Sequence, residues 1–440
     1  MFSIVGFLRK LFQTAFASIF RHSILLLNIL FLTLLVKNEL KIKYNLLKVG
    51  VLNFQRCKKV IPIQKPHKSK VDYIFIMSSN RLLLEYIWLD ADQGCRSKTK
   101  IINIKKNLDF ASLTLNDIPT WNYDGSSTGQ ATTTASEVVL VPVKFVHDPF
   151  RKAADYSAAI SCLVLCECYK PDGTTPLETN TRAQAREIFA METDHKDPMF
   201  GLEQEFFISR KNCGKLVPVA FPNNQSVPEA QGAYYCGVGG SNIYGRDYVH
   251  EILQKALSAG LHLTGMNAEV APAQWEFQVC SVGIEAADDL ILLRYIANRV
   301  LERSHLYMDL AAKPLEGDWN GSGCHINYST SLMRDEDGFK YIERAIKNLG
   351  KVHELHIQHY GNDNHLRLTG KHETSSMFDF SFSVAGRHTS IRIPTATRND
   401  KRGYFEDRRP SSSLDPYVCT ALLHASSVGL PVHSICPKSQ

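Results

Sequence analysis

The sequence has neither a Walker-type phosphate loop nor the signature motifs of a protein kinase, so a nucleotide would need another kind of cradle. It has no internal repeat and no Cys-x-x-Cys pair, although it contains eleven cysteines, an odd number. The tightest cysteine group, Cys162, Cys166 and Cys168, lies among apolar residues, and we interpret it as buried strand rather than as a soft-metal site. This usage favours a reducing compartment over a secreted disulfide framework.

Acidic residues are nearly missing from the first 70 residues, which carry thirteen Lys or Arg and a single acid, Glu39. The remaining residues carry 37 basic and 43 acidic side chains, so the formal net charge of +6 comes from the first 70 residues. The body of the protein is mildly acidic, and no nucleic-acid-binding surface is indicated.

Three interpretations of the leader, residues 1–65, stay open. Gly6–Arg21 could form a basic amphipathic helix of the kind found in mitochondrial presequences. Ser23–Val36 is a nearly unbroken apolar run of fourteen residues, near the length of a signal sequence and short for a membrane span. The leader could also be an upstream translation that the mature protein lacks. We expect the body of the protein to be cytoplasmic, or in the mitochondrial matrix if residues 1–65 act as a presequence.

The length and the residue pattern predict two domains after the leader. Residues 66–176 read as a small, mostly β unit, and the turn-rich Pro171–Pro176 marks its end. The predicted strands are Leu84–Asp90, Lys98–Ile104, Val138–Val143 and Leu163–Tyr169, and the predicted polar loop is Asn122–Ser136. Residues 177–440 mix strands with helices, and apolar residues recur at helical spacing in 249–257, 293–301 and 342–349.

Charged side chains in apolar, strand-like segments are the main functional signal. They are Glu203, Glu205, Glu269, Glu276, His325 and Glu406. Burying an unpaired charge is costly, so this set indicates a common partner, and hard divalent cations holding phosphates are the natural candidate. Residues two apart on a strand share a face, so Glu203 and Glu205 should point the same way. Pro272 interrupts the stretch between Glu269 and Glu276, which predicts a hairpin with both carboxylates facing one site.

Arginines in similar contexts supply a second signal. They are Arg367, Arg387, Arg392 and Arg408. Guanidinium groups bind carboxylate and phosphate in a bidentate manner. Metal ions together with several arginines suit phosphoryl transfer, which depends on positioning and charge neutralisation.

From about Lys68 to about Ser427 the sequence resembles the eukaryotic (type II) glutamine synthetase family. The motifs that carry the resemblance occur in the family's order, and they are Trp121–Gln130, Gly201–Glu205, Tyr234–Gly239, Tyr244–Asp247, Asn267–Gln278, Trp319–Asn327, Leu368–Gly370, His372–Ser375, Ser390–Pro394 and Gly403–Pro410. The chain departs from the family's usual residues at several positions, including Met199, Asp318, Leu366, Gly386 and Thr395, and none of these is a metal ligand by the resemblance.

The resemblance implies an α+β fold in which a small β-grasp-like domain, residues 66–176, precedes a larger α/β catalytic domain, residues 177–440. An antiparallel sheet of the catalytic domain would carry the metal ligands. The implied reaction is ligation of ammonia to L-glutamate through a γ-glutamyl phosphate, with ATP as a substrate and two or three Mg²⁺ or Mn²⁺ ions at each site. The implied assembly is a homo-oligomer with active sites between subunits, a decamer of two pentameric rings.

The resemblance also implies residue roles. One metal ion would be held by Glu205, Glu269 and Glu276, and a second by Glu203, His325 and Glu406. The implied ATP contacts are His325, Asn327, Ser329, Arg387, Arg392, Tyr404 and Phe405. The implied glutamate contacts are Glu269, Asp318, Trp319, Asn320, Gly321, Arg367 and Arg408. The implied catalytic residues are Asp124, which binds ammonium and takes its proton, Glu373 on a mobile flap, and Arg387.

Two other functions stay open beside this one. A non-catalytic homologue would be expected to lose metal ligands or the flap glutamate, and all of them are present here. A ligase that joins glutamate to a larger amine is the second alternative. The intact loop around Asp124 favours ammonia.

Overall fold

The structure, a computed structural model, describes residues 81–104, 108–156, 160–220, 231–240 and 242–432 of the 440. All of them belong to one compact unit, Met77–Gln440. The leader helix and the apolar run at Ser23–Val36 lie outside the described residues. Within those residues, no helix is both long enough and apolar enough to cross a membrane.

A five-stranded sheet forms the first part of this unit. Its strands are β1 (Arg81–Leu89), β2 (Cys95–Asn103), β3 (Trp121–Asp124), β4 (Glu137–His147) and β5 (Ile160–Tyr169). The order is β2-β1-β5-β4-β3, with β1 and β5 parallel and the other neighbours antiparallel. Every residue of β5 is buried, which confirms that its three cysteines belong to the core.

The predicted loop Asn122–Ser136 is wrong at its start, because β3 extends to Asp124 and pairs with β4. The rings of Trp121 and Tyr123 pack against Tyr86 and Trp88 of β1, and this packing holds the segment in the sheet. The β-grasp description of this region and the domain boundary near residue 176 stay predictions.

A nine-stranded sheet forms the larger part of the unit. Its strands are β6 (Met199–Asn212), β7 (Lys215–Pro218), β8 (Leu263–Ala268), β9 (Gln274–Val282), β10 (Leu306–Asp309), β11 (Cys324–Ser329), β12 (Phe382–Val384), β13 (Ile391–Ile393) and β14 (Phe405–Asp407). The order is β12-β13-β14-β11-β6-β9-β8, and β7 and β10 also pair with β6. Only the short pair β12–β13 is parallel, which confirms the predicted, mainly antiparallel sheet within the described residues.

Helices pack against this sheet. In the described residues they are α1 (Thr181–Phe189), α2 (Arg246–Ala259), α3 (Glu285–Leu301), α4 (Ser331–Arg334), α5 (Phe339–Lys351), α6 (His353–His359), α7 (Thr395–Asp400) and α8 (Pro416–Val428). The three helices predicted from apolar spacing are confirmed as α2, α3 and α5. Gly260 ends α2 in the left-handed conformation that a glycine adopts without steric cost.

Strand β6 separates the core from the site. Leu202, Gln204 and Phe206 point into the core and are fully buried. Gln204 is a polar exception that is well satisfied, because its Oε1 accepts from Arg294 Nε at 2.9 Å and its Nε2 donates to the carbonyl of Ser412 at 3.1 Å. Glu203 and Glu205 take the opposite face, as the two-residue period predicts.

Candidate active site

Strand register brings the predicted metal ligands together. Glu203 of β6 lies opposite His325 of β11, and Glu205 lies opposite Glu276 of β9. On the far side of β11, Asn327 lies opposite Glu406 of β14. Strands β9 and β11 pair with β6, and β14 pairs with β11. All of them therefore place charged side chains over one part of the sheet.

The predicted hairpin between Glu269 and Glu276 is confirmed. Strands β8 and β9 pair antiparallel, and the N–H of Glu269 donates to the carbonyl of Gln274 at 2.9 Å across the turn. Both carboxylates line the same cavity, which has a volume of about 220 Å³. On one straight strand, Glu269 and Glu276 would point to opposite faces, whereas the hairpin directs both carboxylates to the same cavity.

Glu203, His325 and Glu406 form the tightest group of potential ligands. One ligand atom from each lies within 4.8 Å of the others. His325 Nδ1 is 3.4 Å from a Glu203 oxygen and 3.5 Å from a Glu406 oxygen. Asn327 Nδ2 donates to the other Glu203 oxygen at 2.7 Å and orients that carboxylate. Burial holds the pKa of His325 well below its usual range, so the ring is neutral, as a metal ligand must be.

Glu205, Glu269 and Glu276 share the cavity but lie farther apart, and within the described residues they do not meet the same spacing. Burial, together with the neighbouring carboxylates, raises the pKa of Glu269 and raises that of Glu276 to about 9. Burial also raises the pKa of Glu205. Like charges gathered in a buried site favour a bound cation, and carboxylate oxygens are the ligands that Mg²⁺ and Mn²⁺ prefer. The residues therefore fit divalent metal ions.

All four predicted arginines line the cavity. Arg392 donates to Glu406 at 2.9 Å, and Arg408 contacts the same carboxylate. Arg367 Nη2 lies 3.0 Å from Nε2 of His325. Among the described residues, Nε of Arg392 and Nε of Arg408 are buried donors without a hydrogen-bond partner. Unsatisfied buried donors of this charge point to an anionic ligand.

Two glycines allow Arg367 to lie in this position. A Cβ at Gly321 would lie 2.7 Å from Arg367 Cγ, and a Cβ at Gly323 would lie 2.5 Å from Arg367 Nη2. Gly323 also donates its N–H to Glu205 at 2.9 Å. The sequence analysis did not identify the role of Gly323, although the Gly-Ser-Gly spacing at 321–323 is the signal that could have shown it.

The segment that carries Glu373 reaches the cavity from the side. Arg387 Nη1 donates to a Glu373 oxygen at 2.9 Å, and Arg408 donates to the Glu373 carbonyl at 3.3 Å. Thr374 also lines the cavity. The neighbouring cavity residues that the sequence analysis did not single out are Tyr235, Asn267, Val270, Gln274, Gln278 and His372.

Several predicted residues do not line this cavity. Asn327, Ser329 and Tyr404 line an adjacent cavity of about 420 Å³, which shares Glu203 with the first. The Phe405 ring is buried in the core, so only its main chain is available to a ligand. Trp319 packs against Phe207 and its neighbours.

Asp124 is exposed and does not line the cavity of its own chain. Its carboxylate accepts from the N–H of Ser126 at 3.0 Å and from the Ser126 hydroxyl at 2.6 Å. The hydroxyl and then the N–H of Ser126 lower the pKa of Asp124, so the group stays ionised at neutral pH.

Comparison with known proteins gives one consistent family. A family model described as glutamine synthetase, catalytic domain, matches residues 178–354. The chloroplastic/mitochondrial glutamine synthetase of Arabidopsis thaliana is 45% identical over 347 residues, which cover 78% of this chain and 77% of the relative. The enzyme of Kluyveromyces lactis is 44% identical over 80% of this chain and 90% of its own length. A cytosolic isozyme of Daucus carota is 42% identical over 80% of this chain and 96% of its own length.

Proposed function

The chain belongs to the glutamine synthetase family, and we propose that it joins ammonia to L-glutamate with cleavage of ATP, which gives L-glutamine, ADP and phosphate. The observation that carries this proposal is the cavity itself. It brings together six glutamates, two histidines and four arginines on the side of β6 opposite the core. Such a site suits a reaction between two polyanions, because both the carboxylate and the phosphates need opposite charge.

Divalent metal ions, Mg²⁺ or Mn²⁺, belong to this proposal. Glu203, His325 and Glu406 would hold one ion, and Glu205, Glu269 and Glu276 another. The spacing of the first group and the crowded carboxylates of the second support this division. When bound, such ions neutralise phosphate charge and bring the two anionic substrates together.

The arginines would act on the two substrates. In the first step, a γ-carboxylate oxygen of glutamate attacks the terminal phosphorus of ATP, and the bond to ADP breaks. Arg387 and Arg392 would bind the nucleotide phosphates, while Arg367 and Arg408 would bind glutamate and the transferred phosphoryl group. The free Nε donors of Arg392 and Arg408 support this assignment, because they can bond to the substrates without losing an existing partner.

Glu373 would shield the acyl phosphate. Ammonia then attacks the γ-carbonyl carbon, the C–O bond breaks, and phosphate leaves. Water would give the same leaving group without forming an amide, so a lid must exclude it. The contacts of Arg387 and Arg408 with Glu373 support its position over the cavity.

Asp124 would bind ammonium and accept its proton at the site of a neighbouring subunit. It is ionised and exposed, and it is absent from its own chain's cavity. We propose a homo-oligomer with sites between subunits, a decamer of two pentameric rings. Co-expression of an Asp124→Asn chain with a Glu205→Gln chain tests it, because each variant alone should be inactive. If the site is shared, random mixing restores about a quarter of the wild-type rate. Mixed oligomers as inactive as the single variants would exclude a shared site.

The activity is tested with the purified chain, L-glutamate, ATP and Mg²⁺, together with ammonia, hydroxylamine or a polyamine. Amide formation with ammonia is the expected result. Amide formation with the polyamine alone would instead identify a ligase for larger amines. No nucleotide turnover with any amine would refute both ligase functions and favour a non-catalytic homologue.

The compartment is a separate proposal. The relatives include a cytosolic isozyme and a chloroplastic/mitochondrial one. We propose a cytoplasmic enzyme, or one of the mitochondrial matrix if residues 1–65 act as a presequence. N-terminal sequencing of the native protein would distinguish these outcomes.

A further inference from the structure

The side chain of His372 connects two elements of the site. We call Lys371–Thr374 the flap segment and Gly317–Gly321 the glutamate loop. His372 Nε2 in the flap segment lies 3.2 Å from an Asp318 oxygen in the glutamate loop. His372 Nδ1 lies 3.1 Å from Nε2 of Gln231. Gln231 in turn accepts the main-chain N–H of Asn320 at 2.8 Å, so both ends of the bridge reach the glutamate loop.

The two hydrogen bonds of Gln231 have only one consistent direction. Gln231 uses its carbonyl oxygen on Asn320, so its amide NH₂ faces His372. Nδ1 of His372 must then be the acceptor. The single N–H of a neutral imidazole is left on Nε2, and it faces the Asp318 carboxylate. One imidazole ring therefore contacts both partners at once.

The backbone of the flap segment depends on such contacts. His372 has φ of 51° and Glu373 has φ of 60°, so two successive residues with side chains adopt the left-handed conformation. This conformation is sparsely populated outside glycine and persists where surrounding contacts hold it. Here the contacts are the bridge at His372 and the ion pair between Glu373 and Arg387.

The bridge is also placed where it can open. The Asp318 side chain is 97% exposed, so water competes directly for the imidazole N–H. Opening would release the flap segment and the glutamate loop together, because one imidazole touches both. A contact of this kind can couple the two elements without touching the reacting atoms.

We propose that His372 is a positioning residue that fastens the flap segment to the glutamate loop, so that the lid closes over the acyl phosphate only when the loop is in place. The proposal deepens the glutamine synthetase function and rests on it for its effect on the reaction. The bridge itself is independent of activity and can be measured alone.

Hydrogen exchange of the full chain tests the bridge. In His372→Ala, amides of both the flap segment and the glutamate loop should exchange roughly fivefold to tenfold faster. Asp318→Ala should have the same effect, and the double variant should add little to either single one. Asp318→Asn keeps an acceptor oxygen and should exchange like the wild type. Faster exchange in the flap segment alone, or additive effects, would overturn the bridge.

A matched control separates the bridge from backbone strain. His305 is exposed and also left-handed, with φ of 55°, and it lies outside this bridge. His305→Ala therefore removes the same side chain from the same backbone conformation. It should leave exchange in both elements at the wild-type rate.

Kinetics test the consequence for the reaction. His372→Ala should raise KM for glutamate roughly fivefold and release more phosphate than glutamine, while His372→Gln, which keeps a donor toward Asp318, should recover part of both. If His372→Ala releases phosphate and forms glutamine in the wild-type ratio, the positioning role is overturned, even where hydrogen exchange has shown the bridge. If the wild-type chain makes no glutamine, the proposed function fails, whereas the exchange result still decides the bridge.

Discussion

The sequence Glu406-Asp407-Arg408-Arg409 places one acid–base pair on each side of β14, and the two pairs are satisfied to very different degrees. On the core side, Arg409 donates to Asp407 from Nε at 2.9 Å and from Nη2 at 2.6 Å, and both side chains are fully buried. On the cavity side, Arg392 and Arg408 share the single carboxylate of Glu406.

The core pair is complete. Asp407 also accepts from the Tyr360 hydroxyl at 2.8 Å, and Arg409 reaches the ring nitrogens of His353 at 3.1 Å and His356 at 3.3 Å. The cavity pair, by contrast, leaves two guanidinium Nε atoms unpaired within the described residues. A pair with every group satisfied stabilises the fold, whereas a pair with unmet donors is prepared for a ligand. The same residue types one position apart therefore have different functions.

The largest expected effect is the loss of the core pair. Arg409→Met leaves the Asp407 carboxylate buried without its cation, and we expect the free energy of unfolding to fall by about 3–5 kcal/mol. Urea denaturation measures it. Arg408→Met is the matched control, because it makes the same substitution one residue earlier, and it should cost less, since the Glu406 carboxylate keeps its ion pair with Arg392. Equal losses in the two variants would contradict the distinction between the pairs.

Loss of the cavity pair should lower activity more than it lowers stability. Arg408→Met removes a proposed contact to the transferred phosphoryl group, and we expect kcat to fall by roughly 10²–10³-fold with a smaller loss of stability than Arg409→Met causes. Steady-state kinetics of glutamine formation, alongside denaturation of the same preparation, measures both. A variant that keeps wild-type kcat would remove Arg408 from the proposed phosphoryl contacts.

A smaller effect is expected at Glu373, which also belongs to the cavity side. If Glu373 shields the acyl phosphate as proposed, Glu373→Ala should raise ATP hydrolysis uncoupled from glutamine formation by roughly tenfold, a change of ~1.4 kcal/mol. The ratio of phosphate to glutamine measures it. Glu354→Ala, an exposed carboxylate on α6, is the control. Unchanged coupling in Glu373→Ala would remove the flap assignment.

The smallest expected effect is a pH dependence of the core network. Burial, with Arg409, His353 and His359 nearby, holds the pKa of His356 well below 6.5. Below pH 6.5 the unfolded chain therefore binds a proton that the folded chain does not, and the free energy of unfolding falls as pH falls. The slope from this group is at most about 1.4 kcal/mol per pH unit.

His356→Gln should remove that part of the slope between pH 6.5 and pH 5.5, and His305→Gln, at an exposed position, should not. Urea midpoints at a series of pH values measure both slopes. Because other buried histidines contribute equally to both variants, the difference isolates His356. Identical slopes in the two variants would show that His356 is not held neutral by the core network.

Local patterns predicted much of this site. The two-residue period gave the common face of Glu203 and Glu205, and Pro272 gave the hairpin that brings Glu269 to Glu276. The grouping of Glu203 with His325 and Glu406 came from the family resemblance, and the ligand spacing agrees with it.

Contacts between distant parts of the chain were not predictable in this way. Gln231 and His372 are 141 residues apart, and no period or spacing relates them. The close approach of Arg367 to Gly323 has the same origin, because it depends on how two loops fold over β11. The strand at Trp121–Asp124 was missed because ring packing on β1 outweighs the polar composition of the segment that follows.

The length of strand β6 between Glu203 and Glu205 limits how this site can vary. Glu203 and Glu205 are joined by one strand repeat, about 6.6 Å of extended backbone. This length of backbone fixes the distance between the two groups of ligands. Substitution can change a ligand but cannot change this distance. Inserting or deleting one residue between them would instead turn every following side chain of β6 to the other face. The strand should therefore accept no change of length between the two glutamates.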